Sequence, residues 1–195
     1  MDDFKKGSVK KPNSKKQYSL LFKFLSLLSV VRGYNIAIIV LAQYLAAIFI
    51  FSPEQTLTNV VFNLDLYLLV LATICVIASG YIINNFYDSK KDLINKPIKS
   101  KIDSIVSQKI KLKIYFFLNF LGVVFGFFVS WRAALFFSVY IFLIWLYSHK
   151  LKRYPLMGLF SASILSILPF FAIFIYYKNF SEIIFTYAAF LFFVL

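Results

Sequence analysis

The chain has 195 residues, 61% of them hydrophobic, and a mean hydropathy of +0.80. Water-soluble domains are usually about 45–50% apolar, so this composition excludes an ordinary soluble domain and predicts an integral membrane protein. The formal charge is +13. The basic residues gather between apolar runs rather than along one soluble face, which points to membrane topology and anionic lipid and away from a nucleic-acid partner. Cys75 stands alone, which excludes an internal disulfide, and no Cys/His zinc pattern is present.

In chain order, residues 1–18 are polar, Lys-rich and aperiodic and are expected to form a disordered basic tail. The N-terminus also looks faintly like a signal peptide, but no small-residue cleavage site follows and the apolar stretch resumes past Arg32, so it is read as retained. Residues 19–31 are expected to be an interfacial helix leading into the first span. A span needs roughly 20 apolar residues, which places spans at about 33–51, 64–84, 112–130, 133–148, 156–177 and 183–195. The predicted fold is therefore an all-α, multi-span transmembrane helix bundle, with residues 19–195 forming one membrane domain. The last span reaches Leu195 without a polar tail, and the reading made of that is an interrupted domain.

All but Arg132 and Lys178 of the 21 basic residues precede span one or lie between spans two and three or four and five. By the positive-inside rule that face is cytoplasmic, N-terminus included, and the expected location is a cell inner membrane.

The stretch with most chemical content follows span two. Steps of four along a helix drift by only ~40° and rise ~6 Å, so Gly80, Asn84, Asp88 and Asp92 fall on one face where an apolar helix leaves the membrane. Two carboxylates and an amide are hard oxygen ligands of the kind that suits Mg²⁺ bridging to substrate phosphates, and Gly80 would leave room for a ligand one turn deeper. The same residues would serve equally as solvated partners of Lys90 and Lys91. Spacing alone does not choose.

Asn84, Asp88, Asp92, Asn95, Lys96 and Pro97 resemble the first Asp-rich motif of the UbiA superfamily of intramembrane prenyltransferases, Asn-Asp-x-x-Asp-x-x-x-Asp followed by Asn-[Lys/Arg]-Pro. Asn85 stands where that motif has its second acidic residue. Tyr147, Ser148, Leu151 and Lys152 resemble the family's Tyr-Ser-x-x-Leu-Lys segment, although Gly158 is followed by Leu159 rather than Asn. Arg32 and Asn35 resemble its Arg-x-x-Asn, with Gly33 where Pro is common. The resemblance spans about residues 30–195. It implies about nine helices, six of them present here, and a second Asp-rich motif beyond span six. On that reading the chain carries half of the metal ligands and is expected to be inactive alone.

The resemblance further implies Mg²⁺-dependent transfer of a polyprenyl group from its diphosphate to a hydrophobic acceptor. Asn84, Asp88 and Asp92 would hold the metal. Arg32, Asn35, Lys152 and Arg153 would contact substrate, Tyr147 would lie near the reacting carbon, and Phe and Tyr of spans two, four and five would line a tunnel for the tail. The motifs look closest to the branch that alkylates geranylgeranylglyceryl phosphate, with quinone-ring acceptors open as an alternative. A transporter and a non-catalytic paralogue are the competing classes. Each residue also has a plainer role open to it. Lys150, Lys152 and Arg153 would serve as positive-inside anchors, Arg32 as a snorkelling cation, Tyr147 as an interfacial belt residue and His149 as a loop residue.

Overall fold

The structure is a computed structural model that describes residues 19–177. The basic tail at 1–18, Lys178 and the sixth span expected at 183–195 lie outside the described residues. Every regular element within them is helical: α1 (Leu20–Val31), α2 (Gly33–Ala46), α3 (Leu57–Val61), α4 (Leu64–Asn95), α5 (Pro97–Asp103), α6 (Gln108–Val129), α7 (Trp131–His149) and α8 (Pro155–Tyr177). Helix α2 continues through a wide π-type turn at Ala47–Phe51, and a tight 3₁₀ turn at Leu151–Arg153 joins α7 to α8.

Among the described residues, five helical stretches are long and apolar enough to cross a membrane: Gly33–Phe51, Leu64–Asn95, Gln108–Val129, Trp131–Arg153 and Pro155–Tyr177. They match the first five expected spans. The second runs on past residue 84 to Asn95 as one helix, so the Asp-rich stretch lies on a continuous helix, as the four-residue spacing required. It ends where sequence chemistry requires: Lys96 precedes a proline and leaves the helical region, and Pro97 opens α5 at a position where its missing N–H costs nothing.

Helix α4 is the mast of the bundle. Its apolar window is 72% buried against 17–28% for the other four. Asn63 caps its start by accepting from the Leu66 N–H at 3.0 Å, and Ser130 does the same for α7 through Ala133 N–H at 3.1 Å. Gly122 and Gly126 let α6 approach closely: a Cβ on the first would meet Val76 of α4 at 2.7 Å, and on the second Phe137 of α7 at 2.8 Å. Such small-residue seams are how helices associate in lipid, where hydrophobic burial offers little drive. Many of the phenylalanines, among them Phe116, Phe120, Phe127, Phe142 and Phe160, face outward instead.

Two polar devices hold the apolar middle. Pro169 interrupts α8 and has no N–H to give the carbonyl of Leu165 one turn back. The Tyr140 hydroxyl of α7 donates to that carbonyl at 3.1 Å. Gln43 of α2, fully buried, donates from Nε2 to Pro169 O at 2.7 Å and to Thr73 Oγ of α4 at 3.2 Å.

Candidate functional site

Helices α4 and α7 pack side by side toward the same basic end of the bundle, and several of the candidate residues lie along their seam. Gly80 of α4 touches Ile144 of α7; a Cβ there would meet Ile144 Cγ2 at 2.9 Å. Two turns on, Lys152 in the turn after α7 reaches Asp88 and Asn84. Its Nζ lies 2.7 Å from Asp88 Oδ1 and donates to Asn84 Oδ1 at 2.8 Å. The ammonium and carboxylate side chains are only 15% and 24% exposed, so solvent screens this pair less than a surface ion pair. The expected role of Gly80 is corrected here. It lines the cavity, but the space its missing Cβ leaves is taken by Ile144 and brings the two helices together.

Lys152 is aimed by Gly158. The 3₁₀ turn folds back onto α8, and a Cβ at Gly158 would stand 3.2 Å from Lys152 Cα, so a larger residue would push the turn away. The turn is closed by the Arg153 N–H donating to Lys150 O and the Tyr154 N–H to Leu151 O, each at 3.1 Å, and the Gly158 N–H opens α8 by donating to Tyr154 O at 2.7 Å.

Below this polar head opens a cavity of about 510 Å³ between α2, α4, α7 and α8. Its basic end is lined by Arg32, Tyr81, Asn84, Tyr147 and Ser148, and its deeper part by Ile39, Ile77, Tyr140, Ile144, Leu165 and Pro169. Arg32 is the hinge between α1 and α2, with φ 51° and ψ 57°. That left-handed conformation costs a side-chain-bearing residue roughly 1–2 kcal/mol, yet Arg32 takes it although Gly33 is next. Its guanidinium lies 5.4 Å from the centre of the Tyr81 ring, and the Tyr81 hydroxyl accepts from Asn35 Nδ2 at 3.2 Å. Among the described residues Arg32 has no carboxylate partner, since the single ion pair is Lys152–Asp88.

Of the residues expected from the sequence, Arg32, Asn84 and Tyr147 line the cavity, Asp88 and Lys152 close its head, and Asn35 acts through Tyr81. Asp92 and Arg153 are not brought in. Asp92 lies a turn beyond Asp88, partly exposed and unpaired among the described residues, and Arg153 points to solvent. Of the Phe and Tyr expected to line a tunnel from spans two, four and five, the cavity takes only tyrosines among the described residues, Tyr81 of span two and Tyr140 and Tyr147 of span four. The signal for Tyr140 was available, because it precedes Tyr147 by seven positions and shares its helix face.

Asn85 turns away from the cavity. It is buried, accepts from Lys111 Nζ at 2.8 Å and donates from Nδ2 to Asp103 Oδ2 at 2.9 Å. Ser29 of α1 donates to Asp103 Oδ1 at 3.3 Å, and Ser26 to the carbonyl of Ile102 at 2.8 Å. Lys111, counted from the sequence only among the basic residues between spans two and three, is 1% exposed in the first turn of α6. Together these bonds tie α1, α4, α5 and α6 into one block behind the Asp-rich helix.

The fold and site define a polytopic helical membrane protein whose apolar cavity ends in a charged polar head. The chain belongs to the UbiA prenyltransferase family, whose model matches residues 40–195. It is 31% identical over 141 residues to digeranylgeranylglyceryl phosphate synthase of Methanobrevibacter smithii, a match covering 66% of this chain and 44% of that protein. It also resembles a solved structure described as giving structural and mechanistic insight into digeranylgeranylglyceryl phosphate synthase in membranes. There the TM-score is 0.65 at 23% identity, over 79% of this chain and 53% of the other, a likeness of fold. The chain thus spans about half the length of the relatives it matches.

Proposed function

We propose that the protein transfers a polyprenyl group from an allylic diphosphate to a phosphorylated glyceryl lipid, geranylgeranylglyceryl phosphate being the acceptor favoured by its relative in M. smithii. The observation that carries this reading is the convergence of Asn84 Oδ1 and Asp88 Oδ1 on one positive charge, Lys152 Nζ, at the head of an apolar cavity. That arrangement suits an anionic head attached to a hydrocarbon tail. Two hard oxygens that already converge on a cation also fit Mg²⁺.

The chemical difficulty is departure of the diphosphate, as negative charge grows on its oxygens and positive charge on the allylic carbon. Bound Mg²⁺ would neutralise the first of these. Lys152 and Arg32 supply fixed positive charge at the same end. Tyr81 and Tyr147, which line the basic end of the cavity, would stabilise an allylic cation there as aromatic faces do any cation. The apolar walls exclude the water that would quench it. On the positive-inside rule the polar head faces the cytoplasm of a cell inner membrane.

The test is transfer of labelled geranylgeranyl group by the full-length gene product in proteoliposomes, with and without Mg²⁺, for the wild type and Asp88→Asn. Mg²⁺-dependent transfer that Asp88→Asn abolishes is expected. Transfer untouched by that substitution sinks the reading.

A further inference from the structure

One buried polar atom in the cavity wall has no partner. Four buried side-chain oxygens lack hydrogen bonds among the described residues, Gln43 Oε1, Ser52 Oγ, Gln108 Oε1 and Ser148 Oγ, and of their residues only Ser148 lines the cavity. Its side chain is 1% exposed. A helical serine ordinarily settles this by donating to a carbonyl one turn back. The other serines of these spans do so: Ser79 to Val76 O at 2.8 Å, Ser138 to Ala134 O at 2.8 Å, Ser161 to Met157 O at 2.5 Å, Ser163 to Leu159 O at 3.1 Å and Ser166 to Ser163 O at 2.7 Å. Ser148 alone keeps its hydroxyl free at the cavity wall.

Its height in the cavity is set by its neighbours. Ile144, one turn back, abuts Gly80, and Lys152, one turn on, holds Asn84 and Asp88. Ser148 therefore sits between the apolar walls and the charged head, at the seam where a hydrocarbon tail would meet its phosphate. A buried hydroxyl left without a partner is unfavourable, and one bound to an anionic oxygen is among the stronger hydrogen bonds.

We infer that Ser148 is a ligand-contacting residue whose hydroxyl donates to a substrate phosphate oxygen at this seam. The inference rests on the prenyltransferase reading above. It differs from the roles of Lys152 and Asp88 in being neutral and deeper, so it reads the junction of head and tail rather than total charge.

Ser148→Ala and Ser148→Thr would be compared with wild type in the full-length protein. The readouts are binding of geranylgeranyl thiodiphosphate, an unreactive donor analogue, binding of geranylgeranylglyceryl phosphate, and the Tm of the ligand-free protein. Ser148→Ala is expected to leave the ligand-free Tm unchanged or raised, since it removes an unsatisfied group. It should weaken one phosphate ligand by about tenfold. Ser148→Thr, which keeps the hydroxyl, should stay within about threefold of wild type. A loss for the thiodiphosphate assigns the contact to the donor, and a loss for the glyceryl phosphate alone assigns it to the acceptor. Wild-type affinity for both ligands in Ser148→Ala overturns the inference, as does a lowered Tm without a change in affinity. No binding of either ligand by the wild type overturns the prenyltransferase reading as well.

Discussion

Lys111 Nζ lies 2.8 Å from Asn85 Oδ1, and the same amide donates to Asp103, so a buried lysine and a buried aspartate are joined through one neutral side chain. The charges of the pair balance only while residue 85 stays uncharged. Asn85→Asp, although it would restore the family's Asp-rich pattern, sets two carboxylates against each other at about the 2.9 Å of the present hydrogen bond. It is expected to destabilise the protein by about 2–4 kcal/mol. Lys111→Met should cost about 3–5 kcal/mol by leaving the buried Asp103 charge uncompensated and Asn85 Oδ1 without its donor, with part regained in Lys111→Met/Asp103→Asn. Thermal unfolding in one detergent measures all three. A stabilised Asn85→Asp would show that this network is misjudged.

The second prediction concerns the polar head. Lys152→Met is expected to lower kcat/KM for the prenyl diphosphate by about 100-fold. Adding Asp88→Asn should cost less than the sum of the two single losses, because the residues share one cluster. Steady-state kinetics of the full-length protein over a Mg²⁺ series, with strictly additive losses as the contrary result, decides it.

Gly158 offers a test of positioning with no charge altered. Gly158→Ala places a methyl group 3.2 Å from Lys152 Cα and should cause a loss of a few fold. Gly158→Val, which cannot be fitted without moving the turn, should approach the Lys152→Met defect. The same kinetic assay reads both, and full activity in Gly158→Val would mean that the turn is free to shift.

Arg32 separates backbone strain from charge. Arg32→Gly and Arg32→Ala both delete the cation facing the cavity, and both should weaken binding of the diphosphate analogue. Only glycine is at ease at φ 51°, so Arg32→Gly should be more stable than Arg32→Ala by about 1 kcal/mol. Equal Tm values would indicate that the hinge relaxes when the side chain is removed.

Much of this was legible in the sequence, and the exceptions have physical causes. The five spans follow from local hydropathy, which a bilayer translates almost directly into helices. The break at Lys96 follows from Pro97. Asn84 and Asp88 share a face by helical period alone, and a family resemblance assigned them and Lys152 to one substrate site, but their direct contact across 68 and 64 positions was read only from the structure. What escaped was direction. Asn85 is adjacent to Asn84 but turned by about 100°, so its surroundings were decided by α1, α5 and α6, and no local pattern encodes those. Lys111 looked like a loop cation because a buried lysine and a solvated one are spelled alike. Gly80 was read as room for a ligand, whereas the room was claimed by a side chain 64 positions away.

The proline in α8 has a chemical corollary for the cavity it borders. The carbonyl it frees at Leu165 and the hydroxyl of Tyr140 are engaged with each other, and no orphaned polar atom lines the wall at that depth among the described residues. The free hydroxyl on this cavity belongs to Ser148, at its charged end. On the prenyl-transfer reading proposed above, the wall beside Pro169 would therefore offer a hydrocarbon tail only apolar side chains and polar groups already bonded to each other.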